Sequence, residues 1–442
     1  MDILVADVIG DVVLVLVVSS LLGAFARRCG QSAVVGQILA GVLLGPSVLG
    51  RVPGHLTGRL FPNAALPSLT VLSQVAVVFF MFAAGYELDR QSMRGGRRAV
   101  LLVAASALLV PMGLGGGATL IFRSSFAAIG EPHISRSFIL FMGVATSITA
   151  LPVLAAIARE RGIAGSVAGV TAASAAGIMD VVAWLVLAIA LVGTARKPSR
   201  PWPVTLLLIS CFVVIMLLAV RPALRWWISQ PRFMLSNRLP VAVVIAMGSA
   251  WVTASLGLHD VFGGFLADLT MPGADGTPDA EILRPMEEIG GVLLPLFFVT
   301  TGLSMDIEAL GTSAFVLLAI LCAFASAGKL GPAYVSSRVA GLCPRDSAVV
   351  AVLVNTRGLT ELIALNVGLS AGLIGQRLYN VLVLMALITT IATSPLLSLI
   401  RVPTASPSAG EPHPAAPLAS GRSERLRTRL QVITNVHRLR AR

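Results

Sequence analysis

The sequence predicts an all-α protein that crosses a lipid bilayer many times. Hydrophobic residues make up 56% of the 442 residues, and the mean hydropathy is +0.88. Charged residues make up 12%, about half the share of an ordinary soluble protein. The apolar runs are long and unbroken, whereas the strands of a membrane β-barrel alternate over about ten residues. The pattern therefore excludes both a soluble domain and a barrel.

The apolar runs predict about thirteen spanning helices, since a helix needs about 20 apolar residues to cross the hydrocarbon core. The ninth and tenth runs are the shortest. Glycine is abundant, with 42 residues, as close helix packing in lipid favours. The predicted spans are residues 3–25, 33–50, 68–85, 99–122, 137–159, 165–193, 204–222, 240–256, 259–271, 288–303, 312–338, 346–369 and 377–400.

The basic residues indicate membrane topology rather than nucleic-acid binding, despite a net charge of +12. Of the 33 Lys and Arg residues, only Lys329 and Arg357 fall well inside predicted spans. The positive-inside rule predicts an external N-terminus and a cytoplasmic C-terminus in the cell membrane. Residues 401–442 are rich in Pro, Ala and Ser and then basic, which predicts a disordered or surface-helical cytoplasmic tail.

Two pairs of similar segments indicate a duplicated unit. GQILAG begins at Gly36 and GGFLAD at Gly263, while FMFAAGYELD begins at Phe80 and FFVTTGLSMD at Phe297. Spans 2 and 3 thus correspond to spans 9 and 10. An odd number of spans separates the copies, so they must be inverted in the membrane, as in many secondary transporters. We expect the repeats at about residues 33–193 and 259–400, against the alternative of chance similarity in apolar sequence.

Extending the duplication pairs span 5 with span 12, and both spans carry polar residues with Pro or Gly in mid-membrane. Span 5 contains ATSITALPVL (145–154), and span 12 contains NTRGLTELI (355–363). We expect crossed, broken helices, which membranes tolerate only when the break is buried in protein or lines a cavity. The hydroxyls of this region have two possible roles, to bond the freed backbone or to bind a cation: Thr146, Ser147, Thr149 and Thr356.

Asp180 is the only charge in the apolar run at 169–193. A carboxylate at membrane depth costs a few kcal/mol or more, so a proton relay or a cation site is favoured over a buried, permanently protonated acid. Arg357 and Glu361 are four residues apart on one helix, the spacing of an ion pair, and we favour a structural or gating role for them. Lys329 needs a partner, either Asp180 or the carbonyl end of a broken helix.

Several other features narrow the choice. Asp260 and Asp268 are further acids near the short ninth span, and Asp268 takes the place of Gly41 in the repeat. The sequence has no GxxxxGKS/T phosphate loop and no TVGYG-type filter, so neither ATP-driven pumping nor a potassium-channel pore is expected. The four cysteines lack CxxC spacing. We expect no cofactor and no nucleic-acid partner.

At these residues the sequence resembles the monovalent cation:proton antiporters of the second branch, which includes Kef-like and plant CHX-type exchangers. The resemblance covers about residues 1–400 and rests on six segments together: GQILAGVLLGPSVLG (36–50), FFMFAAGYELD (79–89), SITALPVLAAIARERG (147–162), the run around Asp180, LPLFFVTTGL (294–303) and NTRGLTELIALNVGL (355–369). It implies a core domain with crossed broken helices, a dimerisation domain, a homodimer, and elevator-type alternating access.

The resemblance also implies roles for particular residues. Asp180 matches the family's ion- and proton-binding aspartate, and Lys329 its basic residue on a core helix. Ser147 and Thr149 match the first broken helix, and residues 355–361, which include Asn355, match the second. The chain departs from the family at Met179, where an Asp, Asn or Gln usually precedes the aspartate. Residues 401–442 are not expected to form the Kef-like nucleotide-binding domain.

The sequence therefore predicts a secondary antiporter, not an enzyme, that exchanges K⁺ or Na⁺ for H⁺ across the cell membrane. Asp180 would bind the proton and the cation alternately, with Thr146, Ser147 and Thr149 supplying oxygens to the transient monovalent cation. With Met179 in place, the exchange is expected to be electroneutral. Two alternatives stay open: proton-coupled export of an organic solute on the same fold, and a non-transport membrane-embedded enzyme or receptor.

Overall fold

The computed structural model describes residues 2–51, 56–62, 64–86, 96–131, 133–192, 202–228, 238–256, 259–272, 279–305 and 310–400. Within these ranges the regular structure is helical, without strands. The tail 401–442 lies outside the described residues, so its predicted disposition stays a prediction.

The described part of the chain forms eighteen α-helices. A 3₁₀ turn at Leu49–Arg51 extends the second, and a π-helical turn at Met216–Val220 joins the tenth to the eleventh. The helices are α1 (Asp2–Arg28), α2 (Ala33–Leu44), α3 (Leu56–Leu60), α4 (Leu66–Tyr86), α5 (Arg97–Ile121), α6 (Arg123–Ala128), α7 (Arg136–Ser147), α8 (Leu151–Glu160), α9 (Val167–Val192), α10 (Trp202–Ile215), α11 (Arg221–Ile228), α12 (Arg238–Ser255), α13 (Val261–Thr270), α14 (Ala280–Leu303), α15 (Thr312–Val339), α16 (Pro344–Val354), α17 (Leu359–Ser370) and α18 (Gln376–Leu399).

Eleven segments of the described chain are long and apolar enough to cross a membrane. They match the predicted spans to within a few residues, and they confirm a polytopic helical membrane protein. The predicted ninth and tenth spans correspond to the ten-residue α13 and to α14. The predicted fifth and twelfth spans are each divided into two short helices, α7–α8 and α16–α17.

The helices pack in two groups. The scaffold bundle consists of α1, α2, α4, α12, α13 and α14, each of which packs on at least two others of the group. The core bundle consists of α5, α7, α8, α9 and α15–α18. The largest apolar cluster lies mostly in the core bundle, surrounds both helix breaks and continues into the scaffold bundle at Val35, Val77 and Phe298.

The contacts between helices come in matched pairs. The α1–α2 contact corresponds to α12–α13, α2–α14 to α13–α4, α5–α7 to α15–α16, and α5–α9 to α15–α18. In each of these pairs, the second contact joins the helices that the repeated segments match to the helices of the first contact. This is the packing that a duplicated, inverted unit produces, and it supports the repeat.

Glycines at equivalent places in the two repeats allow the closest helix contacts. A Cβ on Gly36 would lie 2.2 Å from the carbonyl oxygen of Leu22 on α1, and a Cβ on Gly263 would lie 2.3 Å from the backbone of Ser249 on α12. Small residues at such positions let helix backbones meet in lipid. The repeated motif therefore packs each copy against its own neighbouring helix.

Candidate functional site

The first break lies between α7 and α8, where residues 148–150 leave the helical path. Pro152 stands in the first turn of α8, a position where its missing N–H costs nothing. A proline also disfavours helical backbone at the residue before it, so this sequence restarts a helix more readily than it continues one. The break exposes the carbonyl groups at the end of α7 and the N–H groups at the start of α8.

The second break lies between α16 and α17, at residues 355–358. Gly358 adopts φ +153° and ψ −125°, a backbone conformation that side chains with a Cβ rarely adopt. Thr390 on α18 secures the break, because its hydroxyl donates to the carbonyl oxygen of Arg357 at 2.7 Å. Thr390 was not predicted as a site residue, although paired threonines inside an apolar span were a visible signal.

The two breaks bond to each other. The backbone N–H of Ala150 donates to the carbonyl oxygen of Thr356 at 3.1 Å. The hydroxyl of Thr149 donates to the carbonyl oxygen of Val354 at 2.8 Å. Each break thus supplies partners for backbone groups that the other leaves free, as buried breaks in a membrane protein require. The prediction that spans 5 and 12 are broken and meet is confirmed.

Lys329 binds the carbonyl end of the crossing. Its side chain is fully buried on α15, and Nζ donates to the carbonyl oxygen of Ile148 at 2.5 Å and to Thr149 Oγ1 at 2.6 Å. A third contact, at 3.3 Å, reaches the carbonyl oxygen of Val354. Of the two partners that the sequence left open for Lys329, the structure shows the broken helix. Among the described residues, no oxygen of Asp180 lies within 4.0 Å of this ammonium group.

Asp180 lies on α9 with 8% of its surface exposed. Its Oδ1 is buried and has no hydrogen-bond partner among the described residues. The carboxyl group faces the backbone N–H of Leu151, at the positive N-terminal end of α8. The preceding side chain, Met179, is fully buried and offers neither a charge nor a hydrogen bond. Asp180 is therefore a single carboxyl group with one free oxygen beside a half-helix.

Arg357 and Glu361 form the ion pair that their spacing predicted, with 2.8 Å between Arg357 Nη1 and Glu361 Oε1 and both side chains fully buried. Arg357 also donates to the carbonyl oxygens of Ala145 at 2.8 Å and Thr146 at 2.5 Å, at the end of α7. The guanidinium group thus holds the two broken helices together. The structural or gating role predicted for the pair stays a prediction.

The hydroxyls of α7 are engaged with backbone carbonyls. Thr146 Oγ1 lies 2.9 Å from the carbonyl oxygen of Pro111 on α5, and Ser147 Oγ lies 3.1 Å from that of Val144. Thr149 already bonds both Lys329 and Val354. Four other buried oxygens near the breaks lack hydrogen-bond partners within the described part of the chain: Asp180 Oδ1, Asn355 Oδ1, Thr356 Oγ1 and Glu361 Oε2.

The acids near α13 belong to the scaffold bundle. Asp260 caps α13, with its Oδ1 accepting from the N–H of Val261 at 3.0 Å, an ordinary role for an aspartate. Asp268 is buried on the same helix, with 4% of its surface exposed. α13 packs mainly on α4 and α12, and its Phe262 meets Trp184 of α9 edge to face, with 5.5 Å between ring centroids. Within the described part of the chain, neither acid hydrogen-bonds a residue of the two breaks.

Comparison with known proteins identifies the family. Residues 13–399 match the profile described as sodium/hydrogen exchanger, transmembrane. The chain belongs to this family. It is 33% identical over 404 residues to Cation/H(+) antiporter 20 of Arabidopsis thaliana, covering 88% of this chain and 48% of that protein. It is 32% identical over 398 residues to Na(+)/H(+) antiporter NhaS4 of Synechocystis, covering 88% of this chain and 96% of that one.

A yeast relative, K(+)/H(+) antiporter 1 of Saccharomyces cerevisiae, is 29% identical, with 88% of this chain and 45% of that protein covered. The chain spans about half the length of the plant relatives it matches. These relatives confirm the resemblance to the branch that contains the plant antiporters. Among solved structures, the sodium proton antiporter MjNhaP1 from Methanocaldococcus jannaschii aligns with a TM-score of 0.64 at 14% identity, covering 91% of this chain and 99% of that one. The alignment shows that the two proteins share a fold.

Proposed function

We propose that this protein is a secondary antiporter that exchanges a monovalent cation, K⁺ or Na⁺, for H⁺ across its membrane. The observation that carries the proposal is the state of Asp180: a buried carboxyl group whose Oδ1 has no partner among the described residues, at the N-terminal end of α8. The matched relatives are named as antiporters of cations and protons. Their names support the same activity for this chain.

One carboxyl group couples the two fluxes. An unneutralised carboxylate at this depth costs at least a few kcal/mol, so the group crosses with either a proton or a cation bound. A proton and a cation compete for the same oxygen and cannot be carried together. Asp180 carries the cation across the membrane in one direction and the proton in the other. The result is cation/proton exchange without a covalent step.

The free oxygens of the second break supply ligands for the cation. Asn355 Oδ1 and Thr356 Oγ1 are buried without partners in the described residues, and oxygen atoms in a fixed array replace the water of a dehydrated cation. The hydroxyls of Thr146 and Ser147 on α7 donate their protons to carbonyl groups and keep only lone pairs for a cation, so they are secondary candidates beside the two unpartnered oxygens. We therefore place the cation with Asp180, Asn355 and Thr356. Carboxylate, amide and hydroxyl oxygens are ligands suited to an inorganic cation rather than to an organic solute.

Lys329 acts in this proposal as a fixed positive charge. Its ammonium group bonds Ile148 and Thr149 without pairing with Asp180. An ammonium group in this place stabilises the carbonyl end of the crossing whether Asp180 carries a proton or a cation. Lys329 therefore need not release a proton in each cycle.

Met179 sets the stoichiometry in this account. It is buried next to Asp180 and binds no proton, so each cycle moves one cation against one proton and no net charge. A transport current in proteoliposomes clamped at different voltages would contradict this electroneutral exchange. The packing of the helices in two bundles supports elevator-type movement of the core bundle against the scaffold bundle. We also propose that the N-terminus lies outside the cell and that the protein forms a homodimer, as its resemblance to the family implies.

The test is a pH dye trapped in proteoliposomes, read while KCl, NaCl or LiCl is added to wild type and Asp180→Asn. We expect a cation-triggered pH change in wild type that is lost in Asp180→Asn. Thr253→Val is the matched control, since this hydroxyl bonds only carbonyls of its own helix α12. No response to any cation from folded wild type would contradict the proposal and favour organic cargo.

A further inference from the structure

A polar chamber of about 150 Å³ lies between the scaffold bundle and the core bundle, away from the crossing residues described above. Three helices line it, each with residues at the i, i+3, i+7 spacing of one helix face. α4 contributes Thr70, Ser73 and Val77, α14 contributes Phe297, Thr300 and Ser304, and α17 contributes Ile363, Asn366 and Ser370. His259 and Val261, at and just before the start of α13, complete the lining.

The lining is polar at one end and apolar at the other. On α17 the order along the chain is Ile363, Asn366, Ser370, and on α14 it is Phe297, Thr300, Ser304, whereas on α4 the apolar residue, Val77, comes last. α4 is the third predicted span, whereas α14 is the tenth and α17 belongs to the twelfth. α4 therefore crosses the membrane in the opposite direction to α14 and α17. The three apolar side chains therefore share one end of the chamber. Ile363 follows Glu361 by two residues, which places this apolar floor on the side of the crossing.

Two amide side chains are free in the chamber. Gln74 on α4 and Asn366 on α17 line it, and neither makes a hydrogen bond within the part of the chain that the structure describes. The hydroxyls of Ser73 and Thr300 donate to carbonyls of their own helices, which leaves their oxygen lone pairs available. No carboxylate is among the lining residues, and Asp260, an acid in contact with them, pairs with the His259 imidazole. The oxygen atoms that α4, α14 and α17 offer are therefore neutral.

We propose that this chamber is a holding site for a monovalent cation that still carries part of its water shell, before it passes the apolar floor to Asp180. The inference rests on the antiport function proposed above. A volume of about 150 Å³ accommodates a cation together with several water molecules. Neutral amide and hydroxyl oxygens can bond the ion or its waters without the strong attraction that would trap it. The floor of Val77, Phe297 and Ile363 then separates hydrated cations from the dehydrating site, as apolar constrictions do in pores.

Exchange kinetics in proteoliposomes test the role of the amides. Asn366→Leu and Gln74→Leu should each raise the apparent KM for the cation about threefold to tenfold, the loss of one polar ligand, with the maximal rate retained. Asn366→Asp should lower the apparent KM, because it places a carboxylate among neutral ligands; a purely structural role would not produce opposite shifts. Thr253→Val, outside the chamber, should leave the KM unchanged. An unchanged KM in both leucine variants, with wild type active, would overturn the chamber and leave the antiport function standing.

A second measurement does not require transport. In full-length protein with the four native cysteines replaced by serine, Asn366→Cys should react with a membrane-impermeant methanethiosulfonate reagent, and rising KCl or NaCl should slow the reaction. Equal concentrations of choline chloride control for ionic strength. Labelling that is absent, or unaffected by K⁺ and Na⁺ beyond the choline control, would contradict the proposal. If K⁺ and Na⁺ slow labelling of the thiol while wild type shows no exchange, the result supports cation binding in the chamber and contradicts the proposed antiport function.

Discussion

The ammonium group of Lys329 donates to the hydroxyl of Thr149 at 2.6 Å, and that hydroxyl donates to the carbonyl oxygen of Val354 at 2.8 Å. Thr149 belongs to the first break and Val354 to the end of α16, so this chain of bonds joins α15 to both broken helices. A buried ammonium group requires such partners. The side chain of Lys329 therefore binds the carbonyl end of the crossing, and no ion-pair partner of Asp180 is found among the described residues.

Thr149→Val should weaken the crossing. The substitution removes one acceptor of Lys329 and the donor to Val354, at a cost of about 1–3 kcal/mol for buried groups left unpaired, and we expect slower exchange. Thr253→Val is the control, because that buried hydroxyl bonds only carbonyls of its own helix α12. Thermal unfolding in detergent and exchange rates measure both variants, and equal effects of the two would contradict a special role for Thr149.

Arg357→Met should destabilise the protein strongly. The change leaves Glu361 buried without its ion-pair partner, which costs about 3–5 kcal/mol. The double variant Arg357→Met with Glu361→Met removes the orphaned charge and should recover part of that loss, but not all, because Arg357 also bonds the carbonyls of Ala145 and Thr146. Unfolding midpoints of the wild type, both single variants and the double variant give the coupling. A double variant less stable than Arg357→Met would show that the pair is not the source of the effect.

Gly302→Ala should loosen the scaffold bundle. A Cβ at Gly302 on α14 would lie 2.4 Å from the backbone of Gly41 on α2, so the helices must separate, at a cost of about 1–3 kcal/mol. Gly291→Ala on the same helix has nothing within 4 Å of its Cβ and should leave stability unchanged or slightly raised. Detergent unfolding curves distinguish the two. Equal destabilisation would mean that close approach of α2 and α14 is not what Gly302 provides.

Glu131→Gln should change how stability depends on pH. Burial raises the pKa of Glu131 above its usual 4.5, while the N–H of Gly375, which donates to its Oε1, lowers the pKa by a smaller amount. Because the folded state holds this proton more tightly, the contribution to stability is complete below pH 4.5 and is lost as pH rises through the raised pKa. Wild type should lose stability relative to Glu131→Gln over that interval. Unfolding midpoints at a series of pH values test it, and parallel curves would contradict the shift.

The fold was predictable because membrane spans are long and nearly uniform in composition. The limits of most spans followed from apolar runs, and the broken helices followed from Pro152, Gly358 and their polar neighbours. The repeat was visible in GQILAG and GGFLAD because glycine is needed wherever two backbones meet.

The details of the site were less predictable, because they depend on contacts between residues far apart in sequence. The partner of Lys329 could be narrowed to two groups from the sequence, but only the packing of α15 on both breaks distinguishes them. Thr146 was expected to bind a cation, which stays a prediction; its hydroxyl donates to the carbonyl oxygen of Pro111 on α5, a contact that the sequence could not show. The chamber was not predicted, because Gln74 and Asn366 lie in different halves of the chain. They can be recognised as parts of one site only once the structure shows that α4 and α17 line the same cavity.

Proton release on cation binding tests the central claim most directly. The method is isothermal titration calorimetry of K⁺ or Na⁺ binding to purified wild-type protein in buffers of different ionisation enthalpy. The dependence of the binding heat on the buffer gives the number of protons released per cation bound. Competition for Asp180 predicts about one proton per cation at a pH where the group is protonated, with affinity falling as pH falls, and neither signal in Asp180→Asn. Cation binding without proton release, or equal release in wild type and Asp180→Asn, would contradict the account.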